Sequence, residues 1–556
     1  MAPKKEKRPP LADDIGTKYT MLDPRFDKHH RARFIENGVM LPPLRMRAHK
    51  TTVKMEYDDR YAPFFRRARL LGFVLQFKRK PPTLVHSALT ALIDRWRPET
   101  HSFHLPCGEM TVTLEDWAMI TALPLEGRPL TGRVERANWL ERVVSLIGDC
   151  PAAKSNRTSG IPLPWLLEHR RKCPEDAEPR VVEQYTRAYL WYILTEVVFP
   201  DCSGNSALWI YLDFLKDWDA GYSWGAAGLG YLYRSLDDAT QRGEVSSGMC
   251  GCVWGLSIWM CERIPVGRPE KMCSRAWTDY GGDDEDDRNP TVAYAWDVVR
   301  VYTGESKALY KVFSNELDSL TPFQVTWRSY SDDRQWGFEL NSMCKQDRLL
   351  FRCIVPMICV YAVEYHLPQR VAAQFGKTQH TPPAGIVRDT GGYDLHLMSR
   401  QKNQSITDWE AEHARYVKEW NEWKTRKDTE RRVIDWDAYE DHMLWYDDGI
   451  KHRLRLRPQW TTADAEDLFD DASDCLSESC GIEADEEGYA GIRLTATGPV
   501  TTCAYGVDTD DHTNLSTHGW KSFLVDKNLH VGQTILITIR KTTRQGLKMM
   551  VVIDII

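Results

Sequence analysis

Apolar residues recur at helical spacing from about residue 60 to residue 430. The stretch LVHSALTALIDRWRP is the first clear case, because its apolar positions form one face, Thr83 can cap the start and Pro98 ends it. Similar patterns run through residues 185–200, 206–218, 222–239, 248–265, 347–368 and 405–432. The patterns at 222–239 and 248–265 are apolar almost all round, which predicts two buried helices at the centre of a large helical domain.

The period of the pattern changes near the end of the chain. The stretches GIRLTATGPVTTCAYGV, QTILITIR and LKMMVVIDII are rich in β-branched residues and alternate or run apolar over strand length. Gly, Asp and Asn residues between them are typical of turns. The predicted fold class is therefore mainly α, a large multi-helix domain with short strands, plus a small C-terminal β domain.

Charge and composition divide the chain further. Residues 1–50 are Pro-rich and carry 12 Lys and Arg against 6 Asp and Glu, and they predict a basic tail with one short helix near 28–36. Residues 459–492 carry 11 acidic and no basic residues, a composition typical of a flexible linker. The predicted divisions are a tail at 1–50, the helical domain at 51–425, a charged linker at 426–489 and a β domain at 490–556.

The sequence predicts a protein of the cytosol or nucleus without a membrane segment. The N-terminus has no apolar run of the kind a signal peptide needs, and we find no run of about 18 apolar residues. The short basic run of Lys4, Lys5, Lys7 and Arg8 is a candidate nuclear import signal. We expect the 14 cysteines to be reduced thiols, mostly buried.

The stretch HSFHLPCGEMTVTLEDW sets His101, His104 and Cys107 at a spacing that zinc sites use. A structural zinc needs four ligands, and no second CxxC or HxxxH pair exists in the chain. The local pattern favours a strand at 102–105, a turn at 106–108 and a helix from Leu114 that begins with a capping box. Helix-start chemistry therefore explains this stretch without a metal.

Other possible catalytic or binding motifs have ordinary explanations. Asp389-Thr390-Gly391 matches the aspartic-protease tripeptide but lacks an apolar strand leading into it. Gly225, Gly228 and Gly230 lie inside a helical pattern, where we expect them to allow close helix packing. No GxxxxGK[ST], HExxH or GxSxG motif appears. We accordingly expect no catalytic, cofactor-binding or metal-binding residues.

Nucleic-acid binding stays open at this stage. Basic and aromatic residues are interleaved at 60–80, and residues 539–548 cluster four basic residues around a turn. The ordinary interpretation of each patch is a solvated helix face and a hairpin tip. The candidate nucleic-acid contacts are Lys521, Arg540, Lys541 and Arg544.

Several stretches between residues 58 and 421 resemble the plant mobile domain family, sometimes labelled aminotransferase-like. They include DDRYAPFFRRARLLGF (58–73), ALIDRWRPETHSFHLPCGEMTVTLEDWAMITALPLEGRPLTG (91–132), YSWGAAGLGYLYRSL (222–236) and NPTVAYAWDVVR (289–300). The residues that mark the resemblance are Trp96, Phe103, Gly108, Glu109, Thr111, Trp224 and Trp296. We expect these residues to be structural.

The resemblance implies a mostly helical domain found in gypsy-type plant retrotransposons and in host genes. Host members resemble nuclear proteins needed for meristem maintenance, gene expression and transposon silencing. It implies nuclear protein partners, such as a phosphatase-like protein, and contact with DNA or chromatin, but no catalytic residues and no cofactor. The metal-binding motifs of the phosphatase domain fused to some members do not occur here, and no lysine lies in the context a pyridoxal enzyme requires.

Residues 515–539 are similar to the second half of the plant B-three DNA-binding pseudobarrel. The matching positions are Trp520, Phe523, Asn528, Leu529 and Gly532. A complete pseudobarrel needs roughly a hundred residues, and its first half is not visible upstream. The leading hypothesis is thus a non-enzymatic nuclear protein, with DNA binding by the β domain as the alternative and an enzyme with a hidden metal site as the third.

Overall fold

The computed structural model contains two compact units, residues 1–468 and 469–556, which are described separately. The structure describes residues 26, 29–36, 41–46, 54–78, 86–133, 138–151, 160–200, 206–241, 248–271, 286–300, 306–331, 334–380, 395–398, 406–425, 442, 444, 446, 487–494, 501–507, 513–515, 535–541 and 549–555. The tripeptide Asp389-Thr390-Gly391 lies outside these residues, as does most of the tail predicted at 1–50. The predicted domain boundaries stay predictions.

The first unit is built mainly from helices. They are α1 (Arg31–Glu36), α2 (Ala62–Arg67), α3 (Leu71–Leu75), α4 (His86–Ile93), α5 (Leu114–Thr121), α6 (Trp139–Ile147), α7 (Leu163–Arg170), α8 (Pro179–Ile193), α9 (Trp209–Asp213), α10 (Trp224–Thr240), α11 (Val253–Arg263), α12 (Ser306–Asp318), α13 (Met343–Gln346), α14 (Trp409–Glu412) and α15 (Ala414–Asn421). Among the described residues, no helix is long and apolar enough to cross a membrane.

Short strands connect these helices. They are β1 (Arg45–Met46), β2 (Trp96–Arg97), β3 (Ser102–Leu105), β4 (Gly108–Met110), β5 (Gly160–Pro162), β6 (Ser206–Leu208), β7 (Gly248–Met249), β8 (Glu270–Lys271), β9 (Val299–Arg300), β10 (Val355–Cys359) and β11 (Ala362–His366). Strands β2, β3 and β4 form an antiparallel sheet, and β10 pairs with β11 in a hairpin. The mainly helical fold class is confirmed.

The two central helices α10 and α11 are buried as predicted. Sixteen of the 17 residues of α10 are buried, and the helix packs against α5, β10 and β11. Glycines make this close packing possible: a Cβ on Gly228 would lie 2.9 Å from a methyl group of Val198, and one on Gly230 would lie 3.0 Å from the Met357 carbonyl oxygen. The expectation that these glycines serve packing rather than phosphate binding agrees with these distances.

The prediction of a helix at 347–368 is wrong. The segment contains a short 3₁₀ turn at Arg348–Leu350 and then the β10–β11 hairpin. Pro356 cannot donate a helical hydrogen bond, and the β-branched residues around it suit a strand. The turn falls at Val360, whose φ of +54° is unusual for a β-branched residue, so no Gly or Asn marked it in the sequence. Similarly, the pattern at 206–218 begins as strand β6 and its helix ends at Asp213.

The second unit contains five described strands, β12 (Glu487–Leu494), β13 (Thr501–Val507), β14 (Thr513–Leu515), β15 (Ile535–Lys541) and β16 (Met549–Ile555). They form one mixed sheet in the order β14-β13-β12-β16-β15, with β12 parallel to β16 and the other pairs antiparallel. The small C-terminal β domain is confirmed. Its likeness to a B-three pseudobarrel stays a prediction.

Candidate functional site

The stretch from His101 to Trp117 folds as a hairpin followed by a capped helix. Strand β3 pairs with β4, and the chain then enters α5. The Thr113 hydroxyl accepts a hydrogen bond from the Asp116 backbone N–H at 3.2 Å, and the Asp116 carboxylate accepts one from the Thr113 N–H at 2.8 Å. The predicted strand, turn and capping box are confirmed.

Glu109 forms an ion pair inside the protein. Its two carboxylate oxygens accept hydrogen bonds from Nε and Nη2 of Arg370, and Oε2 also accepts one from the Ser102 hydroxyl at 2.6 Å. The Glu109 side chain is 1% exposed and that of Arg370 is 5% exposed. Burial alone would raise the pKa of Glu109, but Arg370 and His104 outweigh it and hold the pKa below its usual range. The carboxylate therefore stays charged and serves as a structural anchor.

Asp116 forms a second buried pair at the start of α5. Arg263 Nε donates to Asp116 Oδ1 at 2.7 Å, and both side chains are fully buried. His366 lies beside this pair and accepts a hydrogen bond from the Leu114 backbone N–H, while its Nδ1 is 2.9 Å from the Cys353 carbonyl oxygen. Burial lowers the pKa of His366 to about 4, so the ring is neutral and joins two segments of backbone.

Four side chains with metal-binding chemistry converge below the β2–β3 connection. His101, Asp237, Glu364 and His396 each offer one donor atom, and all four donor atoms lie within 4.8 Å of one another. His101 Nε2 is 2.9 Å from Glu364 Oε2, and His396 Nδ1 is 2.7 Å from Asp237 Oδ2. Among the described residues these are the ones that could hold a metal ion.

Burial and neighbouring charges shift the pKa of two members of this group. Burial alone would raise the pKa of Glu364, but Arg234, His396 and His101 reverse the effect and bring the pKa to about 2. Burial opposes protonation of His396, yet the Glu364 and Asp237 carboxylates raise its pKa above the usual value. The group therefore favours positive charge at its centre.

The residues that mark the family resemblance are all buried. Trp96 donates through Nε1 to Asp237 Oδ1 at 2.6 Å, and Trp296 donates through Nε1 to Glu262 at 2.5 Å. The Thr111 hydroxyl donates to the His101 carbonyl oxygen at 2.6 Å. The remaining marker residues, also in the core or its turns, are Phe103, Gly108, Glu109 and Trp224. Their environment agrees with the structural role we expected.

The three donors suggested by local spacing do not converge. His101 faces Glu364, whereas His104 Nε2 lies 3.1 Å from the Thr100 hydroxyl in the Glu109 network. Burial raises the pKa of the Cys107 thiol to about 12, which disfavours the thiolate that binds metals. The group that does converge escaped the sequence reasoning, since its other members come from distant segments and only His101 was recognised as a donor.

The basic residues that the structure describes between 60 and 78 are paired with acidic side chains. Arg66 binds Asp287, Arg67 binds Asp219, and Arg69 binds Asp347. These contacts favour the interpretation of a solvated helix face over a phosphate-binding surface. Of the other candidate contacts, Arg540 and Lys541 lie at the end of edge strand β15, and Lys521 and Arg544 lie outside the described residues.

A surface groove of about 490 Å³ lies between the 126–131 segment and helices α14 and α15. Its lining residues are Glu126, Gly127, Arg128, Pro129, Thr131, Gly221, Glu410, Val417, Trp420, Asn421, Trp423 and Lys424. Trp420 donates through Nε1 to the Gly127 carbonyl oxygen at 2.8 Å, which ties α15 to the wall of the groove. The lining contains no His, Cys or Ser, the residues that most often act as nucleophile or general base.

A protein-family model covers more than half of the chain. The sequence model described as the plant mobile domain matches residues 76–447. No solved structure matches the chain.

Three curated relatives come from Arabidopsis thaliana. The chain is 31% identical to Protein MAIN-LIKE 1 over 469 residues, which cover 82% of each protein. It is 32% identical to Protein MAINTENANCE OF MERISTEMS over 305 residues, 54% of this chain and 59% of the relative. It is 31% identical to a serine/threonine-protein phosphatase 7 long form homolog over 369 residues, which are 65% of this chain but only 26% of that relative.

We predict that Glu109→Ala lowers the free energy of unfolding by about 3–5 kcal/mol, because it leaves Arg370 charged and unpaired in the core. Urea unfolding followed by tryptophan fluorescence measures this change, since all but one of the 21 tryptophans precede residue 469. Asp219→Ala, which breaks an exposed pair with Arg67, is the control and should change stability little. Similar small losses in both variants would contradict a structural role for Glu109.

We also predict acid sensitivity that depends on His413. Its side chain stacks on Trp409, and burial together with the charge of Arg234 lowers its pKa to about 4. An unfolded imidazole takes up a proton near pH 6.5, so the stabilisation is complete above that pH and is lost as the pH falls toward 4. His413→Gln should reduce the loss of unfolding free energy between pH 7 and pH 4.5 by about 2–3 kcal/mol.

Urea titrations at each pH measure this dependence. His169→Gln, which removes an exposed ring, serves as the control. An unchanged pH dependence in His413→Gln would refute the assignment.

Proposed function

Because the chain belongs to the plant mobile domain family, we propose that it is a non-enzymatic nuclear protein that acts through protein or chromatin partners. The processes in which we place it are meristem maintenance, gene expression and transposon silencing, in a host gene or a transposon-derived copy. The names of two relatives, Protein MAIN-LIKE 1 and Protein MAINTENANCE OF MERISTEMS, support the developmental part of the proposal. A phosphatase-like protein is one candidate partner.

The observation that carries the non-enzymatic part is the use of the marker residues. Glu109 is saturated by Arg370 and Ser102, and Thr111 is bonded to the His101 backbone. Trp96 and Trp296 donate to buried carboxylates. A catalytic residue must reach a substrate, whereas the polar groups of these residues form hydrogen bonds that hold segments of the chain together. The similarity to the phosphatase 7 homolog covers 26% of that protein and supplies no reason to assign its activity here.

The proposal predicts that a fluorescent fusion of the full chain accumulates in plant nuclei and that affinity purification from nuclei recovers stable protein partners. A variant with Lys4, Lys5, Lys7 and Arg8 changed to Ala tests the candidate import signal, and it should shift the fusion toward the cytosol. Glu109→Ala, which weakens the helical unit, should lose the partners while keeping the import signal. Exclusion of the unmodified fusion from nuclei, or partners that are insensitive to unfolding of the helical unit, would contradict the proposal.

DNA binding by the β domain is the second candidate. The observation in its favour is that Arg540 and Lys541 end β15, which is an edge strand among the described strands of the sheet. Together with Lys521 and Arg544 they would supply phosphate contacts.

Gel shifts of the full chain across a salt series test this candidate. Replacing Arg540 and Lys541 by Ala should weaken binding and reduce the slope of log affinity against log salt by about 2, because each phosphate contact contributes about 0.9. The charge-preserving control exchanges the two residues for Lys and Arg and should keep the slope. No shift at low salt, or a slope unchanged by the Ala substitutions, would rule this function out.

A further inference from the structure

We propose that His101, Asp237, Glu364 and His396 bind a divalent transition-metal ion of the zinc class as a structural site. The four residues come from the β2–β3 connection, helix α10, strand β11 and the short described segment 395–398. The site differs from the local His101, His104 and Cys107 set, and it departs from the sequence-based expectation of no metal-binding residues.

The hydrogen bond of His101 decides which nitrogen of its ring is free to bind a metal. Its Nδ1 lies 2.9 Å from the Tyr365 carbonyl oxygen, which can only accept a hydrogen bond, so Nδ1 carries a proton. In the neutral ring Nε2 then presents a lone pair, and this lone pair lies 2.9 Å from a carboxylate oxygen of Glu364. Two electron-rich atoms at this distance need positive charge between or beside them, which either a second proton on the ring or a bound cation supplies.

A proton shared in a hydrogen bond does not account for this positive charge. His101 Nε2, His396 Nδ1 and Asp237 Oδ2 are buried atoms, yet none makes a hydrogen bond of acceptable geometry with the described residues. They nevertheless crowd together, with His396 Nδ1 lying 2.7 Å from Asp237 Oδ2 and 3.6 Å from Glu364 Oε2. Buried donor atoms that lie close together without hydrogen bonds between them are typical of metal ligands.

The surroundings of the donors fit the same interpretation. Ligating side chains in metal sites have their remaining polar atom held by a hydrogen bond. Here Tyr365 holds Nδ1 of His101, Trp96 donates to Oδ1 of Asp237, and Arg234 donates to Oε1 of Glu364. In each case the atom that is held this way is not the atom that faces another member of the group.

The donor set selects the class of metal. Two imidazole nitrogens and two carboxylate oxygens suit zinc and neighbouring divalent transition metals, whereas Mg²⁺ and Ca²⁺ prefer oxygen ligands alone. Bonds of about 2.0–2.2 Å in a tetrahedron place ligand atoms about 3.4 Å apart. The separation of 3.6 Å is close to this value, whereas those of 2.7 and 2.9 Å are shorter, so these two pairs must open by about 0.5–0.7 Å to admit the ion.

The site is closed, which indicates a structural rather than a catalytic ion. Four protein ligands complete a tetrahedral zinc shell, and a catalytic zinc keeps one position for water or substrate. The side chains of Asp237 and Glu364 are 5% and 1% exposed, and that of His396 is 11% exposed. The ion would therefore fasten the 395–398 segment and the β2–β3 connection to α10 and β11.

Metal titration of the full purified chain tests the site. After chelation to remove bound metal, we expect reloading with Zn²⁺ and dialysis to give about one Zn²⁺ per chain by elemental analysis. The melting temperature should rise with Zn²⁺ but not with Mg²⁺, and Co²⁺ should give tetrahedral absorption bands without a thiolate charge-transfer band. His396→Ala and Asp237→Asn should each abolish stoichiometric binding and the rise in melting temperature. His169→Gln, which removes an exposed imidazole, should retain both.

His396→Ala changes the most exposed of the four ligands, and Asp237→Asn keeps the shape and the acceptor for Trp96, so circular dichroism should show both variants folded. Less than about 0.2 Zn²⁺ per chain in the unsubstituted protein, binding unaffected in both variants, or a thiolate band with Co²⁺ would overturn the proposal. The first result would leave a proton on His396 as the cation of the cluster.

Discussion

A carboxylate that leaves water for a protein interior must meet a cation or lose its charge, and this constraint organises the helical unit. Arg263 meets Asp116, Arg370 meets Glu109 and Arg234 meets Glu364, all inside the core. Each pair joins segments far apart in the chain. Because removing either partner strands a charge in apolar surroundings, the pairs fix which segments may lie together.

The stretch from His101 to Trp117 lies where these pairs meet. Glu109 fastens β4 to the 368–375 turn, and Asp116 fastens the start of α5 to the end of α11. His101, with a φ of +50°, turns its ring toward Glu364 on β11. A sequence that looks like a metal or catalytic motif is thus the point where the β2–β3–β4 sheet and the β10–β11 hairpin meet helices α5 and α11. Its chemistry is mainly that of buried charge.

Sequence patterns predicted the elements whose signals are local. The apolar patterns of α4, α10 and α11 and the capping box of Thr113 and Asp116 were readable, since residues a few positions apart decide them. The β10–β11 hairpin was misread because its turn residue, Val360, carries no turn signature. The His101 group was invisible because no spacing links His101 to Asp237, Glu364 and His396, and only the fold brings them together.

The central claim is that the marker stretch holds the fold rather than performing chemistry, and native-state hydrogen exchange of the full chain tests it most directly. The account predicts that the backbone amides of β3, β4 and the first buried turn of α5 exchange only through global unfolding of the helical unit, as slowly as those of α10. Rapid exchange of these amides through local opening, while α10 stays protected, would contradict it.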